Sequence, residues 1–568
     1  MSSSAMSAPR DVPANGIAGL RYLRYDILSG VVVSLISLPL SSGIAIASGV
    51  PPIYGLISAI IAGLIFPLIG GSYVTISGPA AGLAPALLAA MVALGGVGDA
   101  EHLGEGYPFL LVVICMVGVV QIILAVLKLA QHAALIPVSV VEGMLASIGM
   151  LIIVKQIPMF CGYSGKVHAH EFYEFVLETP SFVRGMTAPA FAVAFCSLVM
   201  LFALGSMKKV KFLQIVPPQL LAVIFGAILG RFFGLQDLGP GYLISLPKDA
   251  FHGVHVPDFA ALFARQDLWY AAGLVVVTLT MIDGVESLAT AMAIDRLDPW
   301  NRKSEPNRLL LAMGVCNIAS SLVGGLTIIP GGVKSKANIA SGGRTLWANF
   351  TNALCLIMYL WIGRDVINMI PKGVLAAVLI YTGWKMCEPL VWKHMAHIGR
   401  AQLSIFAFTI AATLLTDLLL GIIAGVIAKF ALNLVLYRKS VAAAKEALAD
   451  RPLTQVALDF FRTPVTRREL IGGDLHLHIE RPLVCFNTAK MVKELETIPD
   501  GTSQVIVYLE RGVGLIDHTS FENIHQAIRD LSHRQIPITL AGLDRMRSLS
   551  DYHAATHVNA PSIALQPA

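Results

Sequence analysis

Charge is scarce in this chain. Charged residues make up 14% of its 568 residues and hydrophobic residues 55%, whereas charged residues average roughly 25% in soluble domains. This balance predicts a polytopic membrane protein with some soluble sequence attached. The chain also lacks the phosphate-binding loop GxxxxGK followed by Ser or Thr, which argues against ATP-driven pumping. No arrangement of nucleophile and base can be argued from the sequence, so we do not expect an enzyme.

Cysteine chemistry is equally sparse. The seven cysteines are scattered, with no CxxC pair and no metal-type spacing to histidine. Such a distribution is typical of free thiols. We therefore expect no cofactor and no resident metal.

Basic residues are split among short loops. Nucleic acid binding needs a continuous basic face, so we expect no nucleic acid partner. Loops rich in Lys and Arg stay in the cytoplasm by the positive-inside rule. The clusters that the rule places inside are Arg21 to Arg24, Lys208 to Lys211, Arg296 to Arg308, Lys385 to Arg400 and Arg438 to Lys445.

Fourteen apolar segments, two of them short, are candidates to cross the roughly 30 Å of bilayer hydrocarbon. An even number of spans places both termini on one side, so we expect a multi-pass protein of the inner (plasma) membrane with cytoplasmic termini, surrounded by membrane lipid. The segments are 28–48, 53–71, 79–95, 108–129, 134–156, 187–205, 213–233, 270–293, 308–327, 331–341, 346–362, 366–385, 402–417 and 418–437.

Proline and glycine interrupt two apolar runs at corresponding places. The breaks are Ile76-Ser77-Gly78-Pro79-Ala80-Ala81-Gly82 and Ile328-Ile329-Pro330-Gly331-Gly332-Val333, which enter the third and tenth segments. A broken helix at bilayer depth is tolerated where its backbone is buried in protein or lines a cavity. Paired breaks, seven segments apart, point to the substrate site of a transporter built from inverted repeats. Half-helices that start at the breaks would face it with positive dipole ends and hold an anion.

The composition changes after Tyr437. We predict a cytoplasmic N-terminal segment at 1–25, a transmembrane domain at 26–438, a linker at 439–473 and a soluble α/β domain at 474–568. Alternation predicts a strand at 475–479, and a β-branched run predicts another at 504–509. Helices are predicted at 487–497 and 518–531.

At this point the chain resembles the SulP family of inorganic-anion transporters, which includes the cyanobacterial bicarbonate transporters. The soluble tail is similar to a STAS domain, a cytosolic module common in that family. The motifs that carry the resemblance are Asp26-Ile27 through Leu38-Pro39-Leu40 to Ala47-Ser48-Gly49, Ile136-Pro137 to Gly143, and Ile370-Pro371 to Trp384.

The resemblance implies a fold and a binding site. It implies fourteen transmembrane segments as 7+7 inverted repeats, core and gate domains that move as an elevator, and a homodimer. The anion would lie between the N-termini of the third and tenth helices. Carried over by position, the lining residues are Ser77, Gly78, Pro79, Ala80, Ala81, Gly82, Pro330, Gly331, Gly332 and Val333.

The eighth segment carries Asp283, Glu286 and Thr290 on one helical face. Acids inside a span cost roughly 2.5 to 3.5 kcal/mol each and tend to face a cavity or a partner. Val285 to Thr290 resembles the family's eighth-span signature, in which an acid and a Thr four residues later bind a coupling sodium, or the acid serves proton transport. We predict cation or proton coupling at Glu286 and Thr290, with Asp283 as a neighbour. The alternative is a structural acid.

Lys334 falls where the family usually carries Arg. A cation there would add charge to the anion site, although Lys lacks the bidentate fork of Arg. The alternatives are a pair with Asp283 or a side chain that reaches the lipid headgroups.

In the tail, Leu515 to Ser520 resembles the STAS loop that carries a phosphorylated Ser in some relatives. His518 stands at the phosphoacceptor position, so we predict docking or dimerisation rather than that regulation.

We predict sodium- or proton-coupled uptake of a small inorganic oxyanion, with bicarbonate first and sulfate second. A dicarboxylate is a third possibility. A nucleobase permease on the same fold is a different class, but it usually needs an acid in the tenth helix, where this chain has Lys334. A channel-like or signalling protein is the remaining alternative, and a gradient-independent conductance would favour it.

Overall fold

The structure is a computed structural model. It describes residues 12–97, 103–130, 137–165, 167, 169, 172–207, 218–239, 241–246, 255–295, 297–416, 418–443, 452–499, 501–533 and 536–560. Residues 1–11 of the predicted N-terminal segment and 444–451 of the predicted linker lie outside this set.

Helices dominate the chain up to residue 443. Two three-residue strands interrupt them, β1 (Ser77–Pro79) and β2 (Ile328–Pro330). In chain order the helices are α1 (Leu23–Ala47), α2 (Pro52–Ile69), α3 (Ala84–Ala93), α4 (Gly106–Val126), α5 (Val138–Phe160), α6 (Phe172–Arg184), α7 (Ala188–Ser206), α8 (Pro218–Phe232), α9 (Phe259–Ala264), α10 (Trp269–Asp295), α11 (Pro306–Leu322), α12 (Gly332–Ala340), α13 (Trp347–Ile362), α14 (Arg364–Ile367), α15 (Lys372–Cys387), α16 (Pro389–Ile398), α17 (Arg400–Leu415) and α18 (Leu418–Ala443).

Each of the fourteen predicted segments contains a helix, so the expectation of a polytopic helical protein is confirmed. Within the described residues, eight helical stretches are long and apolar enough to cross a membrane. The number of spans itself stays a prediction. The eight are Gly16–Ala47, Pro52–Ile69, Gly106–Val126, Val138–Phe160, Ala188–Ser206, Gln266–Asp295, Lys372–Ile398 and Leu418–Ala443.

The two helices that follow the breaks are short. At 1.5 Å per residue, α3 and α12 each cover about 15 Å, half the hydrocarbon thickness. The third segment was predicted to begin at residue 79, but α3 begins at Ala84 because Pro79 belongs to β1 and the next residues form a turn. Pro85 then occupies the first turn of α3, where a missing N–H costs no hydrogen bond.

The tail is an α/β domain. Its main sheet has the order β3-β4-β5-β7, with β3 antiparallel and the other strands parallel. A second sheet has three antiparallel strands in the order β6-β9-β8. The elements are α19 (Leu453–Asp459), β3 (Val465–Ile471), β4 (Asp474–Ile479), α20 (Cys485–Glu496), β5 (Gln504–Leu509), β6 (Leu515–Ile516), α21 (His518–His533), β7 (Ile538–Ala541), β8 (Met546–Ser548) and β9 (His557–Asn559).

Alternate residues of the central strands form the hydrophobic core of this domain. Leu475, Leu477 and Ile479 of β4 pack with Val505 and Val507 of β5 in one buried cluster, because successive side chains of a strand point to opposite faces. The predicted strands and helices are confirmed to within two residues. The sheet begins earlier than predicted, since β3 lies inside the segment 439–473 that was predicted as a linker and pairs with β4.

The chain divides into two compact units, residues 1–130 with 148–386 and residues 131–147 with 387–568. This division differs from the predicted domain boundary at 438, because α16 to α18 group with the tail. The two breaks and the predicted site residues all belong to the first unit.

Candidate functional site

The two breaks meet as a pair of antiparallel strands. Ser77 lies opposite Pro330 and Pro79 lies opposite Ile328. In this antiparallel pair the chain leaves β1 towards α3 at one end and leaves β2 towards α12 at the other. The two exits lie roughly 10 Å apart along the strands. Inverted repeats predict this arrangement.

Side chains and backbone from other elements satisfy the strand ends. The Gly331 N–H donates to the Ile76 carbonyl at 2.8 Å. The Ile76 N–H donates to Ser335 Oγ at 2.9 Å, and that hydroxyl donates to the Gly331 carbonyl at 2.7 Å. Irregular backbone can therefore lie at bilayer depth without losing its hydrogen bonds.

Lys334 places a cation beside this strand pair. It is the third residue of α12 and only 3% exposed, and its ammonium has no hydrogen-bond partner among the described residues. A Cβ built on Gly78 would overlap the Lys334 Nζ, and one on Gly331 would lie 2.8 Å from its Cε. The ammonium therefore rests against the β1 backbone. A buried cation without a counter-charge is costly unless an anion joins it.

Glu286 approaches the other break. A Cβ built on Gly82 would lie 2.5 Å from both of its carboxylate oxygens. The residue is 7% exposed, and Oε2 has no partner in the described part of the chain. Thr290, one turn later, has its methyl carbon 3.7 Å from a Cβ built on Gly332. One helix, α10, thus contacts the chain ahead of α3 through Glu286 and the start of α12 through Thr290.

Asp283 is occupied by neutral donors. Gln121 Nε2 donates to Oδ1 at 2.8 Å, Asn317 Nδ2 to Oδ2 at 3.1 Å and Ser287 Oγ to Oδ1 at 3.2 Å. Lys334 does not pair with Asp283 here, in contrast to one of the alternatives above. Asn317 Oδ1 also accepts the Ile328 N–H at 2.7 Å, so this network fixes the start of β2.

The remaining predicted residues lie around the same strands. Ser77, Gly78 and Pro79 form β1, and Ala80, Ala81 and Gly82 lead to α3. Pro330 ends β2, Gly331 precedes α12, and Gly332 and Val333 are its first two residues. The Ser77 hydroxyl is buried and lacks a partner among the described residues, which makes it a further free polar group at the site.

Sequence reasoning missed Gln121 and Asn317. Both lie in apolar spans, at fully buried positions of α4 and α11. The available signal was a lone amide inside an apolar run, because a buried polar side chain needs a partner. The sequence does not say which partner it has.

The loop 515–520 of the tail contacts α18. Asp517 Oδ2 lies 3.6 Å from the Lys429 Nζ and accepts hydrogen bonds from Asn433 Nδ2 at 3.1 Å and the Cys485 N–H at 3.0 Å. Burial alone would raise the pKa of Asp517, but Lys429 and the donated N–H groups outweigh it and lower this pKa. The carboxylate is therefore charged at neutral pH and forms a buried ion pair.

His518, at the predicted phosphoacceptor position, is enclosed. Its Nδ1 lies 2.7 Å from the Ala554 carbonyl, and its side chain packs against Tyr552. Burial lowers the pKa of His518, so the ring is neutral at pH 7 and Nδ1–H donates to that carbonyl. The side chain serves packing within the tail.

None of the seven cysteines, all of which lie among the described residues, is joined to another in a disulfide bond. Within the described residues, no group of three or more His, Cys, Asp or Glu side chains could hold a metal ion.

Helical spans surround the paired half-helices, and beside the strands lies a buried cation with no hydrogen-bond partner among the described residues. This arrangement is typical of a membrane transporter for anions. A family model described as the sulfate permease family matches residues 23–409. The chain belongs to this family of anion transporters, and it is not an enzyme.

Relatives agree with this assignment. The Bacillus subtilis protein YvdB, a candidate sulfate transporter, is 26% identical over 414 residues, covering 72% of this chain and 73% of YvdB. The bicarbonate transporter BicA of Picosynechococcus is 25% identical over 406 residues, covering 72% of this chain and 69% of BicA. In structure, the chain is similar to the murine Slc26a9 anion transporter in its inward-facing state. The TM-score is 0.61 at 14% identity, covering 94% of this chain and 90% of that one, which shows a shared fold.

Proposed function

We propose that this chain is a secondary active transporter that takes up a small inorganic oxyanion, with bicarbonate as the first candidate. The observation that carries the proposal is the buried Lys334 ammonium, which has no partner among the described residues and rests against β1. An anion bound between the starts of α3 and α12 would receive both dipole ends and this charge.

Bicarbonate is preferred on the charge of the site. One Lys offers a point charge without the two-pronged donor geometry of Arg, which suits a monovalent ion better than sulfate. The name of BicA supports bicarbonate and that of YvdB supports sulfate. Sulfate is therefore the second candidate, and a dicarboxylate would require a larger site.

Coupling is proposed at Glu286, with Thr290 one turn away. The carboxylate lies against Gly82, directly ahead of α3, and has an unpartnered oxygen among the described residues. A sodium ion or a proton at this carboxylate would remove a negative charge next to the anion. Anion and cation would thereby favour each other's binding, as symport requires. Elevator motion and a homodimer rest on the family resemblance.

Uptake into proteoliposomes tests substrate and coupling together. Radiolabelled bicarbonate, at alkaline pH where little of it is CO₂, and radiolabelled sulfate are compared with and without an inward sodium gradient. We expect sodium-dependent bicarbonate uptake that is lost in Glu286→Gln and reduced in Gly82→Ala, whose new methyl group displaces the carboxylate. Gly284→Ala is the matched control, because a Cβ on Gly284 meets no atom within 4 Å.

The outcomes separate the alternatives. Proton-driven sulfate uptake would support the assignment as a transporter, but it would show that the anion is sulfate and that the coupling ion is a proton. Uptake that survives in Glu286→Gln with its sodium dependence intact would remove the coupling site from Glu286. Flux that ignores every gradient would favour a channel.

A further inference from the structure

A cavity of about 460 Å³ lies in the second unit, where the turn between α16 and α17 contacts the tail. Its lining includes Arg400, Ala401 and Gln402 from the start of α17, and Ser550 and Thr556 from the tail. Ser550 Oγ donates to the Ile398 carbonyl at 2.6 Å and so holds the two walls together. Small-molecule sites have volumes of about 300 to 1,000 Å³, so this cavity is large enough for a ligand.

Gln402 has a buried amide without a partner. The residue is 2% exposed, and neither its Nε2 nor its Oε1 has a hydrogen bond within the described part of the chain. Leaving a buried amide unpaired costs about 1 to 3 kcal/mol. A ligand in the cavity that accepts a hydrogen bond from Nε2 would remove part of this cost.

The other groups around Gln402 favour a negative ligand. The α17 helix is sixteen residues long and begins at Arg400. The N–H groups of Gln402 and Leu403 donate to the Gly399 carbonyl at 3.0 and 3.1 Å. The N–H groups of Arg400 and Ala401 are left without an intrahelical acceptor and lie at the positive end of the helix dipole. Arg400 adds a guanidinium, which matches the geometry of phosphate oxygens. Thr556 adds a hydroxyl. None of the described residues that line the cavity is acidic.

We propose that this cavity binds a phosphate group, held by Arg400, the first turn of α17 and the Gln402 amide. The bound group would link α17 to the tail, since both form its walls. The phosphate has two possible sources, the headgroup of an anionic phospholipid or a soluble phosphate compound. Arg400 is the first residue of an apolar helix, and helix ends of this kind lie near the depth of lipid headgroups.

Binding is tested on the full-length protein in phosphatidylcholine nanodiscs. Inorganic phosphate is titrated by calorimetry, and thermal unfolding is then compared between phosphatidylcholine and phosphatidylglycerol nanodiscs. The variants are Arg400→Ala and Gln402→Leu. Lys393→Ala is the control, because Lys393 is an exposed basic residue of α16 that does not line the cavity. We expect Arg400→Ala to lower the affinity for phosphate by about tenfold or more, as for other charge-assisted hydrogen bonds, or to remove the stabilisation by phosphatidylglycerol.

Each outcome decides the proposal. Phosphate binding that depends on Arg400 identifies a soluble ligand, whereas stabilisation by phosphatidylglycerol that depends on Arg400 identifies a headgroup. The proposal fails if neither probe has an effect, or if Lys393→Ala reduces the effect as much as Arg400→Ala does. Phosphate binding that survives Arg400→Ala but is lost in Lys334→Met would place the ion in the transport site and also overturn the proposal. Should Gln402→Leu not fold, Arg400→Ala alone decides.

Discussion

At the scale of the residue, the proposed anion site depends most on Lys334, whose burial has an energetic cost. An ammonium without a counter-charge destabilises the protein that contains it. Its retention at the first turn of α12 is explained if an anion supplies the missing charge. The same residue should then lower stability in the absence of substrate and raise affinity in its presence.

Replacement of Lys334 should therefore separate stability from transport. In Lys334→Met we expect anion uptake to fall by about tenfold to hundredfold, since hydrogen bonds to charged groups contribute about 1.5 to 3 kcal/mol. The midpoint of thermal unfolding without substrate should rise or stay unchanged, because an unpaired charge is removed. Proteoliposome uptake and thermal unfolding of the same preparations measure the two effects.

Lys336→Met is the matched control for this prediction. Lys336 lies two residues later on α12 and is exposed, so its removal should change neither quantity by much. A Lys334→Met protein that transports normally, or that loses stability without substrate, would contradict the assignment.

At the scale of the element, the strand pair depends on residues that lie outside the proposed anion site. Asn317 of α11 bonds to Gln121 of α4, to Asp283 of α10 and to the backbone of β2. A single amide thus connects three helices to one break. Because Asp283 accepts hydrogen bonds from this network, we expect it to have a positioning role.

Removal of the Asn317 amide should lower stability. In Asn317→Leu the carboxylate of Asp283 loses a donor and the Ile328 N–H loses its acceptor, at a cost of about 2 to 3 kcal/mol. We expect a lower midpoint of thermal unfolding, and weaker anion affinity because β2 is no longer fixed. Thermal unfolding with and without substrate measures both.

Asn352→Leu is the comparison variant. Asn352 of α13 is equally buried, yet its amide has no partner among the described residues, so the apolar replacement should be neutral or stabilising. Equal losses of stability in the two variants would show that the network contributes nothing beyond packing.

At the scale of the whole molecule, the helices and the helix breaks could be predicted from the sequence. The contacts between side chains that are far apart in the chain could not. The apolar segments located the helices, and proline with glycine located β1 and β2, because helix breaks have few causes at bilayer depth. Lys334 rests against Gly78 and Glu286 approaches Gly82. Both contacts join distant parts of the chain, and no local sequence pattern indicates them. The sequence analysis placed β3 in a linker because most residues of Val465–Ile471 are exposed and three of them are charged. An edge strand with this composition resembles a linker in sequence.

A buried ion pair joins the tail to α18. The predicted organisation, a transmembrane domain and a soluble domain separated by a linker, did not include this contact. Lys429 of α18 is 1% exposed and pairs with Asp517. The nearby apolar cluster unites Tyr437 and Val441 of α18 with Cys485 and Leu515 of the tail. The lowered pKa of Asp517 means that its stabilisation is present above the unfolded pKa of about 3.9 and is lost only in stronger acid.

Breaking this pair should release the tail from α18. Lys429→Met leaves the Asp517 carboxylate buried without its cation, at a cost of about 3 to 5 kcal/mol. Cys485 is fully buried and donates its N–H to Asp517, so its thiol reports the opening. We expect its labelling by a maleimide to accelerate by at least about 100-fold, since each 1.4 kcal/mol is a factor of ten. Mass spectrometry of the Cys485 peptide measures the rate.

A second change distinguishes a lost charge pair from a damaged helix. In Lys429→Met with Asp517→Asn no uncompensated charge remains, so labelling of Cys485 should return part of the way to the wild-type rate. Lys439→Met, an exposed position of the same helix, should leave it unchanged. If Cys485 stays protected in Lys429→Met, the apolar cluster alone holds the tail. The ion pair would add nothing to that stability if the double variant labelled no faster than the wild type, because the desolvation of two buried charges can cancel their attraction.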